Sequence, residues 1–310
     1  MEWKNDIERP LFSVLIANHN NGKYLPEAIR SVCMQTYEKW EIIILDDAST
    51  DNSKEVYSRI ENNIPNVFIH YNITQKGVGE TKNKLISLAH GHICGFLDAD
   101  DRLERNAIET MVAMHNAHPE CSLIYSRFRE LSMQSLLAET NLSIGALSAD
   151  EDLLISSQNM VSHFATFKRS AYLKTSGINT ALLSAEDRDL YLKLEECGEI
   201  LYVDMDLYQY RVDNSNSVSR GNMDRIRKAQ YYLAIANLDA YFRRIMTSHR
   251  LYLANREKYK DSILREVRRL KDNRLTQKDV AKALKYTFFY LKLNRYSAKS
   301  IKRTIKMAIG

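Results

Sequence analysis

Phe96-Leu97-Asp98-Ala99-Asp100-Asp101 closes an apolar run that begins at Ile93-Cys94-Gly95 and puts three carboxylates into four positions. A short apolar run of this kind reads as a buried strand. Packing does not account for its ending, because burying carboxylates without partners is costly. At the open C-terminal end of a strand, Asp98 and Asp100 point the same way, since side chains alternate with period two. Two hard oxygen ligands on one side suit a divalent cation, Mg²⁺ or Mn²⁺, carrying a phosphate. An ordinary strand followed by an acidic turn fits the same letters. The flanking sequence decides between them.

On the N-terminal side the pattern alternates between strand and helix. Phe12 to Ala17, Trp40 to Leu45 and Val67 to Tyr71 are short apolar runs. Helical spacing fills the intervals at Tyr24 to Gln35, from Asp51-Asn52-Ser53 through Ile60, and at Glu80 to Ala89. Beyond the acidic cluster come a helix over Arg105 to His118 and a strand over Ser122 to Tyr125. Such alternation implies a mostly parallel sheet covered on both faces, with ligands bound beyond the C-terminal strand ends. Asn18-His19-Asn20, Asp46-Asp47 and Asp98/Asp100 are therefore expected to line one crevice. Residues 127–157 are weakly patterned. After them the spacing predicts a strand over Phe164 to Lys168, a helix over Glu186 to Cys197, and strands over Ile200 to Val203 and Leu207 to Val212. Everything past Gly221 reads as helix: Arg225 to Ile245, Leu251 to Leu270, Gln277 to Leu293 and Ser297 to Ile309.

Composition is that of an ordinary globular protein, with 45% hydrophobic and 27% charged residues, which argues against a disordered chain. The start, Met1 to Asp6, lacks the apolar stretch of a secretory signal, and no window approaches the roughly 18 apolar residues of a membrane span. Cys33, Cys94, Cys121 and Cys197 form no CxxC pair, so a reduced, cytoplasmic protein without structural zinc is expected. Charge is uneven. Positions 241–310 hold 20 Lys or Arg against 5 Asp or Glu, leaving 24 basic and 34 acidic residues for positions 1–240. Lys292, Arg295, Lys299, Lys302 and Lys306 recur on one helical face, beside Leu291, Ile301, Ile305 and Ala308. Such a face suits an anionic membrane surface, which would make the protein peripheral at the inner face of the cell membrane. No recognition motif for nucleic acid accompanies the charge.

Four patches in order, over roughly residues 11 to 219, carry a resemblance to a known family. They are SVLIANHNNGKYLPEAIRSVCMQTYEKWEIIILDDASTD, GETKNKLISLAHGHICGFLDADD, SAEDRDLYLKLEECGEILYVD and YRVDNSNSVS. The chain resembles the inverting glycosyltransferases of family 2, which have the nucleotide-sugar-binding GT-A fold. The resemblance implies a Rossmann-like mixed, mostly parallel sheet flanked by helices over residues 1–220. A basic helical appendage over 221–310 follows. It implies a nucleoside-diphosphate sugar donor, most readily UDP-linked, and a saccharide or lipid-linked acceptor. Ala17, His19 and Asp47 would surround the base, with Asp46-Asp47 accepting from a uracil N–H and His19 stacking. Lys82 stands where the family often has Arg, keeping the charge without the planar fork. Asp98 and Asp100 fill the DxD signature, Asp98 near ribose or metal and Asp100 on the cation, while Asp101 is expected to cap the next segment. In Ala185-Glu186-Asp187-Arg188-Asp189, Asp187 is the expected catalytic base, with Glu186 and Asp189 the next candidates. Arg211 would support phosphate binding.

The chain departs from the family at Asp213, where His is usual. Asp can ligate a metal, but it adds negative charge beside a diphosphate. FLDADD also resembles the nucleophile motif of haloacid-dehalogenase-type phosphatases, although Arg102 stands where that family has Thr or Val, and three strand–helix units precede the motif here. A catalytically silent glycosyltransferase-like binding protein is a further alternative, against which Asp98, Asp100 and Asp187 argue. No GxGxxG follows the first strand, which disfavours a dinucleotide-binding dehydrogenase.

Overall fold

A computed structural model describes residues 9–61, 63–131, 139–140, 144–148, 150–156, 161, 163–212 and 223–272. Asp213 and the basic helices expected over 277–293 and 297–309 lie outside them. The chain falls into two compact units. The first draws on Met1–Ala146, Gln158–Thr180 and Cys197–Asn216, and the second on Leu147–Ser157, Ala181–Glu196 and Ser217–Gly310.

The first unit is built on a sheet of nine strands among the described residues. β1 (Phe12–Asn18), β2 (Trp40–Asp46), β3 (Val67–Tyr71) and β4 (Ile93–Phe96) run parallel in the order β3-β2-β1-β4. The apolar runs of β1 and β2 are nearly continuous because both faces are covered: Val14, Leu15, Ile16, Ile42, Ile44 and Leu45 are wholly buried, whereas β3 at the edge leaves Phe68 and Tyr71 exposed. α1 (Leu25–Cys33), α2 (Ser53–Glu61) and α3 (Val78–Leu88) follow the first three strands. α1 starts with Pro26 in its first turn, where a missing N–H costs nothing, and buries Leu25, Ala28, Ile29 and Val32 on one face. Past β4 come the short β5 (Arg102–Leu103), α4 (Ala107–Ala117), β6 (Cys121–Leu131), β7 (Glu139–Thr140), β8 (Ala165–Lys168), α5 (Arg169–Tyr172) and β9 (Glu199–Arg211). β8 joins β4 antiparallel, β6 pairs with β8 antiparallel and with β9 parallel, and β5 and β7 are antiparallel additions. This is a GT-A-like mixed, mostly parallel sheet flanked by helices.

Two strands differ from the sequence reading. The pair expected at 200–203 and 207–212 is one thirteen-residue strand, β9. The register slips where Ser126 opposes Val203 but Arg127 opposes Asp206, so the acids that interrupt the apolar pattern are absorbed by an irregularity, not a break. β6 likewise runs past Tyr125 to Leu131, because Arg127 and Arg129 pair with Asp206 across the strands at 3.1 and 2.9 Å.

The second unit packs α6 (Glu186–Glu195), α7 (Met223–Met246) and α8 (Arg250–Asp272). Arg244 lies at its centre, wholly buried. Its guanidinium reaches Glu195 at 2.7 Å, Glu196 at 3.2 Å and Asp152 at 3.4 Å, and donates to the Tyr259 hydroxyl at 3.2 Å. Tyr259 in turn donates to Asp152 at 2.7 Å. A buried guanidinium is tolerated only with such complete partnering. The network ties the end of α6 to α7 and α8. No helix of the described residues is long and apolar enough to cross a membrane.

Candidate active site

Because β1, β2 and β4 are parallel and in register, with Asn18 opposite Asp46 and Leu15 opposite Phe96, their C-terminal ends open on one edge of the sheet. The polar residues there divide into supports and exposed groups. Asp46 is a support. It is 2% exposed, accepts from Tyr57 Oη at 2.7 Å and from the Ser49 amide at 2.8 Å, and holds the Asn18 amide. These three donors and its burial turn the Asp46 carboxylate towards the floor beneath the strand ends.

Asp47 is almost as buried, and its Oδ1 accepts from Asn72 Nδ2 and the Lys76 amide, both at 2.8 Å. Its Oδ2 accepts from the Gly77 amide at 2.9 Å. The carboxylate thereby fixes the 72–77 loop that leads into α3. The Asp47 carbonyl accepts from His19 Nδ1 at 2.8 Å, which makes Nδ1 the protonated nitrogen and leaves Nε2 to accept from Asn20 at 3.3 Å. Ala17, one residue before the end of β1, is partly exposed. Lys82, on α3, is 9% exposed with its ammonium 5.1 Å from the centre of the Phe96 ring, so it is turned inward to the end of β4.

Asp98 is exposed, Asp100 partly exposed, and Asp101 wholly buried. Asp101 does not cap the next segment. Its carboxylate accepts from Tyr208 Oη and from the Arg211 amide, both at 2.7 Å, binding the acidic loop to β9. Burial, then the charges of Asp98 and Asp100, hold its carboxyl well above the usual carboxylate range. Arg211 completes the attachment: Nε donates to the Asp100 carbonyl at 2.8 Å, Nη2 meets Glu27 at 2.6 Å, and the guanidinium lies 4.7 Å over the Tyr24 ring.

His163 is a residue that the sequence reading missed. With Asp98 and Asp101 it offers one ligand atom each, all within 4.8 Å of one another. Burial, reinforced by Lys82 and opposed by Asp100, pushes its imidazole down to about 4, so it is neutral at physiological pH, the form that binds metals. Crowded carboxylates with a neutral imidazole beside them are a donor set that a divalent cation fits. The Asp100 carboxylate is not one of these three ligand atoms.

In the second unit, α6 begins at Glu186 after Ala185, which adopts a left-handed backbone (φ 61°). The three acids of its first turn have different surroundings. Asp189 is 1% exposed and paired with Lys193 at 2.7 Å, and Glu186 is 9% exposed. Asp187 is exposed, its Oδ1 accepting from the Arg188 amide at 2.7 Å. The Arg188 side chain is buried, donating to Asn237 at 3.0 Å and to the Leu153 carbonyl, which anchors this end of the helix.

The sequence model described as Glycosyl transferase family 2 matches residues 13–175, more than half of the chain. The chain belongs to that family. Among its family relatives, it is 27% identical over 230 residues to a chondroitin synthase of Pasteurella multocida, covering 74% of this chain and 23% of that protein. The chain spans about a quarter to a third of the length of the curated relatives it matches first. The fold agrees with that of TarS 1-349 of S. aureus, in a structure with UDP, at a TM-score of 0.58 and 15% identity over 96% of this chain and 90% of that one. Mannosyltransferase PcManGT from Pyrobaculum calidifontis, in complex with GDP-Man and Mn²⁺, aligns at 0.57 and 15% identity over 97% of this chain and 85% of that one.

Proposed function

We propose that this family 2 chain transfers a sugar, with inversion, from a UDP-linked donor to a hydroxyl of a saccharide or lipid-linked acceptor during surface polysaccharide or lipopolysaccharide synthesis. The observation that carries the reading is the delivery of His19, Asp47 and Asp98 to one sheet edge by three parallel strands. TarS in complex with UDP, and the chondroitin synthase among its relatives, support a uridine donor and a polysaccharide product.

In this reading His19 and Ala17 meet the base, while Asp47 shapes the loop beside it. Lys82 and Arg211 supply positive charge towards the diphosphate. Asp98 and Asp100 would hold the divalent cation, with Asp213 a further ligand on the sequence reading alone. When bound, Mn²⁺ or Mg²⁺ supplies Lewis-acid charge to the departing nucleoside diphosphate. Asp187 takes the proton of the acceptor hydroxyl as its oxygen attacks the anomeric carbon, and a single displacement of that kind inverts the configuration. Residues 1–220 hold all of these groups, and the basic helices beyond bring the enzyme to an anionic membrane surface.

Calorimetry with UDP, in the presence and absence of Mn²⁺, tests the core of the proposal. Binding strengthened by the cation is expected. Binding that is absent, or indifferent to metal, contradicts it.

A further inference from the structure

The His163 ring is held by other rings. It stacks on Tyr210 with centroids 4.1 Å apart and planes at 15°, stacks on Tyr208 at 5.5 Å and 11°, and meets the edge of Phe128 at 4.7 Å and 88°. Tyr208 and Tyr210 lie two apart on β9 and so share a face of that strand. Among the described residues no hydrogen bond to either ring nitrogen accompanies these contacts. Stacking fixes the plane of an imidazole while leaving its nitrogens available in that plane.

The carboxylate opposite is fixed from the same strand. Tyr208 donates its hydroxyl to Asp101, and Arg211 donates its amide to the other carboxylate oxygen. Each oxygen spends one acceptor direction on β9 and keeps another. β9 therefore orients both a nitrogen donor and an oxygen donor, with Asp98 as the third group within 4.8 Å. Among the described residues the imidazole thus keeps both nitrogens clear of hydrogen bonds beside a carboxylate crowded by Asp98 and Asp100, with the Lys82 ammonium as the nearby protein cation, and a divalent cation would draw on both donors at once.

We infer that His163 supplies a nitrogen ligand to the divalent cation of this site, making it a mixed oxygen–nitrogen site selective for Mn²⁺ over Mg²⁺. The inference rests on the proposal that the site binds a divalent cation. Mg²⁺ takes oxygen ligands in near-ideal octahedral geometry and gives up its water reluctantly, so a protein nitrogen serves it poorly. First-row transition cations accept imidazole, with affinity rising from Mn²⁺ along the series. His163 is thus the group that separates the two classes.

The test uses the full chain with UDP and Mn²⁺. Pulsed electron paramagnetic resonance should show nitrogen modulation from a directly bound imidazole, altered in protein carrying ¹⁵N-histidine. His163→Phe keeps the aromatic stack and removes both nitrogens, so it should lose the modulation and fold as the parent does. His118→Gln, at a surface histidine paired with Glu120 and outside the site, is the control and should retain the modulation. Competition read from the free Mn²⁺ signal should show Mn²⁺ preference over Mg²⁺ falling by at least about tenfold in His163→Phe. Mn²⁺ bound without imidazole modulation, or modulation that persists in His163→Phe, overturns the role of His163 while leaving the cation site standing. Failure to bind Mn²⁺ at all overturns both.

Discussion

The side chain of Asn83 pairs with the backbone of Ile178, 95 positions away, as a neighbouring strand would. Nδ2 donates to the Ile178 carbonyl and Oδ1 accepts from the Ile178 amide, each at 2.8 Å, and Oδ1 also accepts from Tyr172 Oη at 2.7 Å. The turn it grips contains Gly177 at φ +71°, where an added Cβ would stand 3.2 Å from Asn83 Oδ1. Asn83→Ala leaves three polar groups without their partner and should lower the unfolding free energy by about 1–3 kcal/mol. Asn83→Asp should not rescue it, because an oxygen would then face the Ile178 carbonyl. Urea unfolding of the two variants checks this.

Asp187→Asn keeps size and hydrogen bonding but cannot take up a proton. Turnover should fall by roughly 10²–10⁴ while UDP affinity is retained. Full transfer activity in the variant would move the base to Glu186 or Asp189. Of these, Asp189 is already engaged by Lys193.

His115 should make the protein acid-labile. It is 3% exposed on α4, and its Nε2 donates to Thr166 Oγ1 at 3.1 Å, because that hydroxyl gives its own proton to the Ile124 carbonyl. Nδ1 is buried without a hydrogen-bond partner. Burial, then the Lys168 charge, pushes the imidazole down to about 3 from its ordinary 6.5. The unfolded chain therefore binds the proton first. Stability is fully present above pH 6.5 and declines by roughly 1.4 kcal/mol per pH unit as pH falls towards 3. His115→Gln should flatten that part of the pH profile in thermal unfolding, whatever its effect at pH 8.

Liposome sedimentation addresses the basic C-terminal segment. Full-length protein should bind anionic vesicles at low salt and be released as salt rises, because surface attraction is screened within about 8–10 Å at physiological ionic strength. Neutralising Lys292, Arg295, Lys299 and Lys302 together should abolish binding. No binding even at low salt would make the segment a packing or oligomerisation element.

The sheet could be read from sequence where burial is two-sided, because β1, β2 and β4 are apolar but for the buried Ser13–Glu41 pair near the start of β1 and β2, and then stop at polar residues. Helices with one apolar stripe, such as α1, were equally plain. β9 was read as two strands because Asp204 and Asp206 answer to Arg127 and Arg129 on a neighbouring strand, a relation with no trace in local periodicity. The acidic loop was legible as a cluster of carboxylates at a strand end, but not in its division of labour. Nothing in Asp98-Ala99-Asp100-Asp101 says that the last acid faces Tyr208. His163 was missed because its meaning lies entirely in ring contacts with β6 and β9. The one hint, Tyr208 and Tyr210 two apart on a strand, identifies an aromatic face without naming its guest. Arg244 was similarly hidden, being one more basic residue in a basic helix until its acids close round it.

The Asp47 clamp grips the 72–77 loop through the Asn72 side chain and the amides of Lys76 and Gly77, at the two ends of the loop. Between them Ile73 is 98% exposed and Thr74 and Gln75 are exposed as well. The loop is thus pinned like a handle at both feet, with its arch indifferent to the letters it carries. That makes positions 73–75 a graft point: sequence can be exchanged there, by drift or by an engineer's library, while the sheet beneath keeps its shape.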